Sequence, residues 1–159
     1  MLKELAWDVL RKGATIERAR AAGLFADELV EGGRVSDLAT VLCEIAQHDA
    51  GLALAVFSHF TARALSGEVA PGGELLAFSP FLESEATLSG EALSGRIPSV
   101  ALAPLAQQAV VALQGGGFAL VSLAGARLSE AVATLGSRSC PLVDISFDRA
   151  RAKSLGDGA

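Results

Sequence analysis

The chain has 159 residues, a net charge of −5 with a pI near 5.0, a hydrophobic share of 51% and a mean hydropathy of +0.44. The acidic balance and the lack of any basic cluster argue against a nucleic acid or an anionic membrane as partner. No apolar run approaches the roughly 20 residues of a membrane span, so the apolar excess belongs in a helix buried on all sides or in a surface meant for another protein.

The opening "MLKELAWDVLRKG" has no apolar stretch followed by a small-residue cleavage site and does not read as a secretory signal. Its Leu2, Leu5, Ala6, Val9 and Leu10 fall on one face of a helix that Gly13 ends, with Trp7 as a packing residue. Glu17 to Ala22 reads as a second helix closed by Gly23. Ser36 is placed to cap a third, along which Leu38, Val41, Leu42 and Ile45 recur at helical spacing. Asp49 is placed to cap a fourth, running to about Leu65 with Gly67 as its stop. That helix, "AGLALAVFSHF" at its centre, is apolar nearly all round and should be central.

The linker "GEVAPGGE" then divides the chain, and from Glu74 the period changes to two. Short strands are expected within "ELLAFSPF", "EATLSGEALSG", "QAVVALQGGGFALVSL" and "CPLVDISFDRARA", the last followed by a polar tail. In it Val143, Ile145 and Phe147 point one way and Asp144, Ser146 and Asp148 the other. "QGGG" suits a hairpin better than a phosphate loop, because it joins two strands rather than opening a helix. The fold class is therefore α+β. A helical N-terminal domain (residues 1–70) is followed by a small antiparallel β-barrel or sandwich domain (residues 71–159).

Cys43 and Cys140 lie far apart in unlike contexts, which gives a disulfide no support. Free thiols and a cytoplasmic location are the expectation, and neither cysteine has a second ligand at metal spacing. His48 reads as a helix-end polar residue and His59 as a partly buried core residue. Neither has a nucleophile positioned beside it in the sequence.

The order of these halves and several of their residues resemble the acyl-CoA dehydrogenase family. Gly23-Leu24, Gly32-Gly33, Glu44-Ile45-Ala46, Asp49 and Ala50 follow the family's wording in the helical half. In the β half the similar stretches are "LSGEALSGRIPSVALAPLAQQAVVAL", "FALVSL" and "ATLGSRSCPLVDISFDRARA". The resemblance implies a helical domain and a β-barrel domain, followed in the family by a C-terminal four-helix bundle. "FDRARAKSLGDG" falls where the barrel would give way to that bundle, so the 159 residues are expected to stop at a domain boundary without it.

The resemblance also implies a chemistry. Family enzymes use FAD to accept a hydride from the β-carbon of an acyl thioester, while a carboxylate from the bundle removes the α-proton. With no bundle, no catalytic residue is assigned. The family's Thr-Glu-Pro-x-x-Gly-Ser-Asp loop corresponds to "AFSPFLESEATLSG", in which Ser79 and Pro80 are a faint echo. Its Trp-(Ile/Val)-(Thr/Ser) strand corresponds to Ser99, Val100 and Ala101, and its Ala-Asp pair to Ala106-Gln107. Ser79, Ser99 and Ala101 are thus flavin-facing by resemblance, with the motif residues substituted. Each lost hydrogen bond removes about 1 kcal/mol, so FAD is expected only within a complex.

Three functions follow as expectations. The first is a non-catalytic subunit that forms a homodimer or higher oligomer, or caps a complete acyl-CoA dehydrogenase-like chain. The second is one half of a split FAD-dependent oxidoreductase whose bundle lies on a partner chain; there Arg138 or Arg149 could meet a cofactor phosphate, against the default of a solvated arginine. The third is a binder of a small apolar ligand, in a cavity lined by Phe57, Phe60, Phe78 and Phe81.

Overall fold

The computed structural model describes residues 2–11, 13, 15–26, 35–79, 83–132 and 138–156. Gly32, Gly33, Pro80, Phe81 and residues 133–137 of the family-like ending lie outside the described residues, as do the side chains of Leu2 and Leu5.

Four helices come first: α1 (Leu2–Arg11), α2 (Ile16–Ala21), α3 (Val35–His48) and α4 (Ala50–Ser66). The cap of α2 is Thr15, whose side chain accepts the Arg18 N–H at 3.2 Å, so the helix starts ahead of the expected Glu17. Ser36 is not a cap, because α3 already begins at Val35; the Ser36 carbonyl accepts the Thr40 hydroxyl instead. Asp49 caps α4 as its position suggested, with Oδ1 accepting the Leu52 N–H at 2.8 Å. Gly67, at φ 52°, closes that helix. Only a residue without a side chain reaches this conformation cheaply.

Helix α4 lies between α3 on one side and strands β1 (Leu76–Phe78) and β4 (Gln108–Ala112) on the other. Its Leu52, Ala55, Val56 and Phe60 are buried, and full burial of a large aliphatic or aromatic side chain contributes about 1.5–3 kcal/mol. His59 is more deeply buried than its sequence context suggested, at 1% exposure, with its ring edge-on to Phe25 and Phe60. Its Nδ1 accepts the Leu76 N–H at 3.2 Å. An amide N–H can only donate, so Nδ1 is unprotonated and the ring is held as the Nε2–H tautomer. The linker is also tied down: the Arg63 guanidinium donates to the carbonyls of Ala70, Pro71 and Glu74.

The remaining strands are β2 (Thr87–Ser89), β3 (Ala92–Val100), β5 (Phe118–Ser122), β6 (Arg127–Leu128) and β7 (Val143–Gly156). They form a sheet of order β1-β4-β5-β7-β3-β2, with β6 also on β7. All pairs are antiparallel except β1–β4, which is parallel and departs from the expected pattern. The β2–β3 excursion between those two strands supplies the long crossover that a parallel pair requires. The "QGGG" turn joins β4 to β5, with Leu113 N–H bonded to the Gly117 carbonyl at 3.0 Å. One further bridge, Phe78 to Ala101, returns the hydrogen-bonded path from the end of β3 to β1.

The expected polar tail is instead strand. β7 runs to Gly156, because its second half pairs with β5 while its first half pairs with β6 and its other edge with β3. To serve both neighbours it bulges opposite Ser94. Arg149 takes φ 53° there, and its N–H is accepted by the Ser94 hydroxyl at 3.0 Å. Ser94 thus replaces the ladder bond that the bulge interrupts.

The largest buried cluster includes Ala6, Ile16, Ile45 and Val56 of the helices with Ile97, Val111, Ile145 and Ala152 of the strands, so the two halves share one core. Phe60 belongs to this cluster, Phe78 to a second one at the end of α4, and Phe57 is 45% exposed. The expected phenylalanine-lined cavity is therefore not formed by its described members. Cys43 is exposed, Cys140 is buried, and both are free thiols.

Gly95 is where a side chain would meet the backbone most closely among the described glycines. A Cβ there would lie 2.4 Å from the Glu85 carbonyl oxygen and 2.7 Å from the Ala86 Cα, with φ at +127°. Gly90, at φ +62°, has open space around it. Gly95→Ala should cost at least about 3 kcal/mol in urea denaturation, from backbone overlap added to strain, while Gly90→Ala costs about 1 kcal/mol. Equal costs would show that the approach at Gly95 is relaxed in solution. His59→Leu should lower stability by about 2 kcal/mol, because the Leu76 N–H is left without an acceptor; the same denaturation midpoint reads it.

Candidate functional site

Two bulges punctuate the pairing of β3 with β7, and the second leads into the candidate site. Between Ile97 and Val100 on one strand, and Ile145 and Val143 on the other, the register slips by one residue. The extra residue is Ser99, at φ 55°, and Leu102 just beyond takes φ 66°. Each such conformation costs a residue with a side chain about 1–2 kcal/mol. Asp144 offsets part of that strain. Its Oδ1 accepts the Ser99 N–H at 3.0 Å, and its Oδ2 accepts the Arg96 guanidinium. That hydrogen bond to Arg96, reinforced by the Ser99 N–H, holds the Asp144 carboxyl below its usual range, against a small opposing effect of burial.

Ser79, Ser99 and Ala101 are brought together at this point. Ala101 is fully buried, exchanging backbone hydrogen bonds with Phe78 (3.0 and 3.3 Å). Ser79 is 3% exposed and its hydroxyl donates to the Pro98 carbonyl at 3.0 Å. Ser99 is half-buried, with its N–H committed to Asp144. As placed, these residues do not fit a flavin cradle. Two are inside the core, and every backbone or hydroxyl donor named here is already bonded within the protein except the Ser99 hydroxyl.

Beyond Leu102 the chain turns along a cleft of about 400 Å³. Thr15, Ile16 and Glu17 frame it with Leu102, Pro104 and Leu105, and the segment from Arg138 to Pro141 completes it. Asp49 anchors that last segment: its Oδ1 caps α4, while its Oδ2 accepts the Ser139 hydroxyl. Burial pushes the Cys140 thiol up, partly opposed by a backbone hydrogen bond at Leu102. A thiol of this kind is inert at neutral pH. His48 is exposed at the end of α3, stacked edge-on against Trp7 at 5.0 Å, and far in character from the buried His59. Arg149 is exposed at its bulge. Among the described residues no cluster of His, Cys, Asp or Glu could hold a metal, and no helix is long and apolar enough to cross a membrane.

A third feature is an apolar outer face on α3 and α4. Leu42, Cys43, Ala46, Ala50, Ala53, Leu54 and Phe57 line it, and none of them carries a charge.

No family model matches the sequence. No curated protein matches it either. Solved structures do. Butyryl-CoA dehydrogenase from Megasphaera elsdenii superposes with a TM-score of 0.68 at 16% identity, over 97% of this chain and 56% of that one. The electron transferring flavoprotein of Acidaminococcus fermentans gives 0.69 at 15%, over 99% and 58%. Methanesulfinate monooxygenase MsuC from Pseudomonas fluorescens gives 0.68 at 18%, over 94% and 50%. The fold is acyl-CoA dehydrogenase-like. The chain spans about half the length of the solved chains it matches, and the acyl-CoA dehydrogenase-like part it spans includes both helices and sheet.

The turn and the cleft were differently legible. The resemblance points to Ser99 and Ala101, whereas Asp144, which fixes the turn, shows in the sequence only as a residue on the opposite side of the last strand from Val143, Ile145 and Phe147.

The Asp144 carboxyl is lowered in the folded state, so the stability it contributes is present above the unfolded value near pH 4 and is lost as the pH falls through the lowered one. Asp144→Asn retains an acceptor for Ser99 but not the charge. Thermal denaturation followed between about pH 5 and pH 2 should fall less steeply for the variant than for the parent. Parallel curves would remove Asp144 from the acid sensitivity of the fold.

Proposed function

We propose that this chain is an acyl-CoA dehydrogenase-related, non-catalytic subunit that oligomerises or caps a partner chain of similar fold. The observation that carries this reading is the uncharged outer face of α3 and α4, with Phe57 45% exposed on the central helix. Apolar surface left exposed on a folded chain is one signature of a protein–protein contact, and it supports this reading. The inward-turned Ser79 and Ala101 support the non-catalytic part, since they take flavin-facing positions out of reach of a ligand. Two free thiols fit a reducing compartment such as the cytoplasm.

A second reading rests on the strained turn. Ser99 and Leu102 lie within four residues of each other, both at positive φ, and strain of this type concentrates at ligand clamps. In that reading the chain is half of a split flavin-dependent oxidoreductase, and a partner chain supplies the donors that these residues do not. Neighbours of the same fold include a TdsC structure with FMN and indole and an FAD-dependent dehydrogenase.

Native mass spectrometry of the protein from its source cells separates the two. The subunit reading expects a homo-oligomer or a complex without flavin, and Phe57→Glu should shift it to monomer by at least about tenfold in dissociation constant. A flavin-containing heteromer supports the split enzyme. A monomer unaffected by Phe57→Glu overturns the subunit reading.

A further inference from the structure

We propose that the cleft framed by residues 15–17, 102–105 and 138–141 is a binding site for a small organic carboxylate with an apolar body. This inference is independent of the subunit reading, because the cleft and the α3–α4 face share no lining residue.

The cleft is built in two layers. Its floor is buried and apolar, with Ile16 5% exposed, Leu102 1% and the Cys140 thiol fully buried. The rim carries Thr15, Glu17 and Arg138, all exposed, and Leu105 stands at the mouth at 46% exposure. A volume of about 400 Å³ lies toward the lower end of the roughly 300–1,000 Å³ of small-molecule sites, and an apolar floor with few polar groups is their usual composition. An apolar body seated there would cover Leu105 and leave water only at the rim.

The charge of the ligand follows from the two ionised side chains. Glu17 lies in the first turn of α2, where the unpaired N–H groups of the helix already favour a carboxylate. Arg138 has no such partner among the described residues. In contrast, Arg96 is bonded to Asp144, Arg63 to the linker carbonyls and Arg20 to the Gly73 carbonyl. A guanidinium presents a planar fork of donors that matches one carboxylate group in two parallel hydrogen bonds. Among the described residues that line the cleft, Arg138 is the one cation, and a lone guanidinium suits that group better than the higher charge of a phosphate.

The walls are fixed ahead of any ligand. Leu102 holds its positive φ at the floor, and the Ser139 hydroxyl is bonded to Asp49 at the start of α4. Segments 102–105 and 138–141 are therefore preorganised, which reduces the ordering cost of binding.

The test is a titration of the ¹⁵N-labelled chain with 3-phenylpropionate and, separately, with its uncharged amide. The acid should perturb backbone amide signals of residues 15–17, 102–105 and 138–141. The uncharged amide should bind there at least about tenfold more weakly. Arg138→Gln, at an exposed position, should weaken the acid by a similar factor and leave the amide unaffected. Three results would overturn the site: no perturbation of those segments, equal binding of acid and amide, or an unchanged affinity in Arg138→Gln. Perturbation confined to the α3–α4 face would overturn it as well, by showing unspecific apolar attachment.

Discussion

One strand has to satisfy two sets of neighbours, and the β half is arranged around that demand. β7 pairs along one edge with β3, and along the other first with β6 and then with β5. A straight strand of 14 residues could not follow both partners. The chain therefore yields at two places, opposite Ser94 and opposite Asp144, and each interrupted ladder is repaired by a side chain of the facing strand. The Ser94 hydroxyl repairs one and the Asp144 carboxylate the other. The second repair also throws the chain from Ser99 to Leu102 into the turn that borders the cleft, so the shape of the candidate site is a consequence of strand pairing.

The helical half joins this sheet through a large shared core and a second, smaller cluster at the end of α4. α4 is the common element, with α3 on one flank and β1 and β4 on the other. His59 makes that join polar at one point by accepting the Leu76 N–H within an aromatic surround. Arg63 adds a second tie by gathering the linker carbonyls, and a linker bound in this way holds the halves in one arrangement. The acyl-CoA dehydrogenase-like fold is shared with solved chains that are 15–18% identical to this one. Divergence of that size is compatible with one fold, because many side-chain combinations can satisfy one burial pattern.

Local signals in the sequence carried the helices and the hairpin, because periodicity, Asp49 before an apolar run and three consecutive glycines each act over a few residues. The features that escaped are those fixed from afar. The parallel partner of β1 depends on where a crossover returns, and the length of β7 depends on β5 lying beside residues that look like a polar tail. The deep burial of His59 depends on the neighbouring Phe25 and Leu76. The cleft draws on three segments separated by more than 30 residues each, and no motif links them. The resemblance pointed to Ser79, Ser99 and Ala101, and the structure sets them side by side, but it could not show that two of them face inward.

Asp49 has a role that extends beyond ending a turn. One carboxylate caps the central helix with one oxygen and holds the Ser139 loop with the other. The first turn of α4 and one wall of the cleft therefore share a single anchor. A loop tied to the start of a buried helix is expected to open together with it more often than a free loop would, and hydrogen exchange at residues 138–141 reads that coupling. One wall of the cleft is thereby fastened to the core.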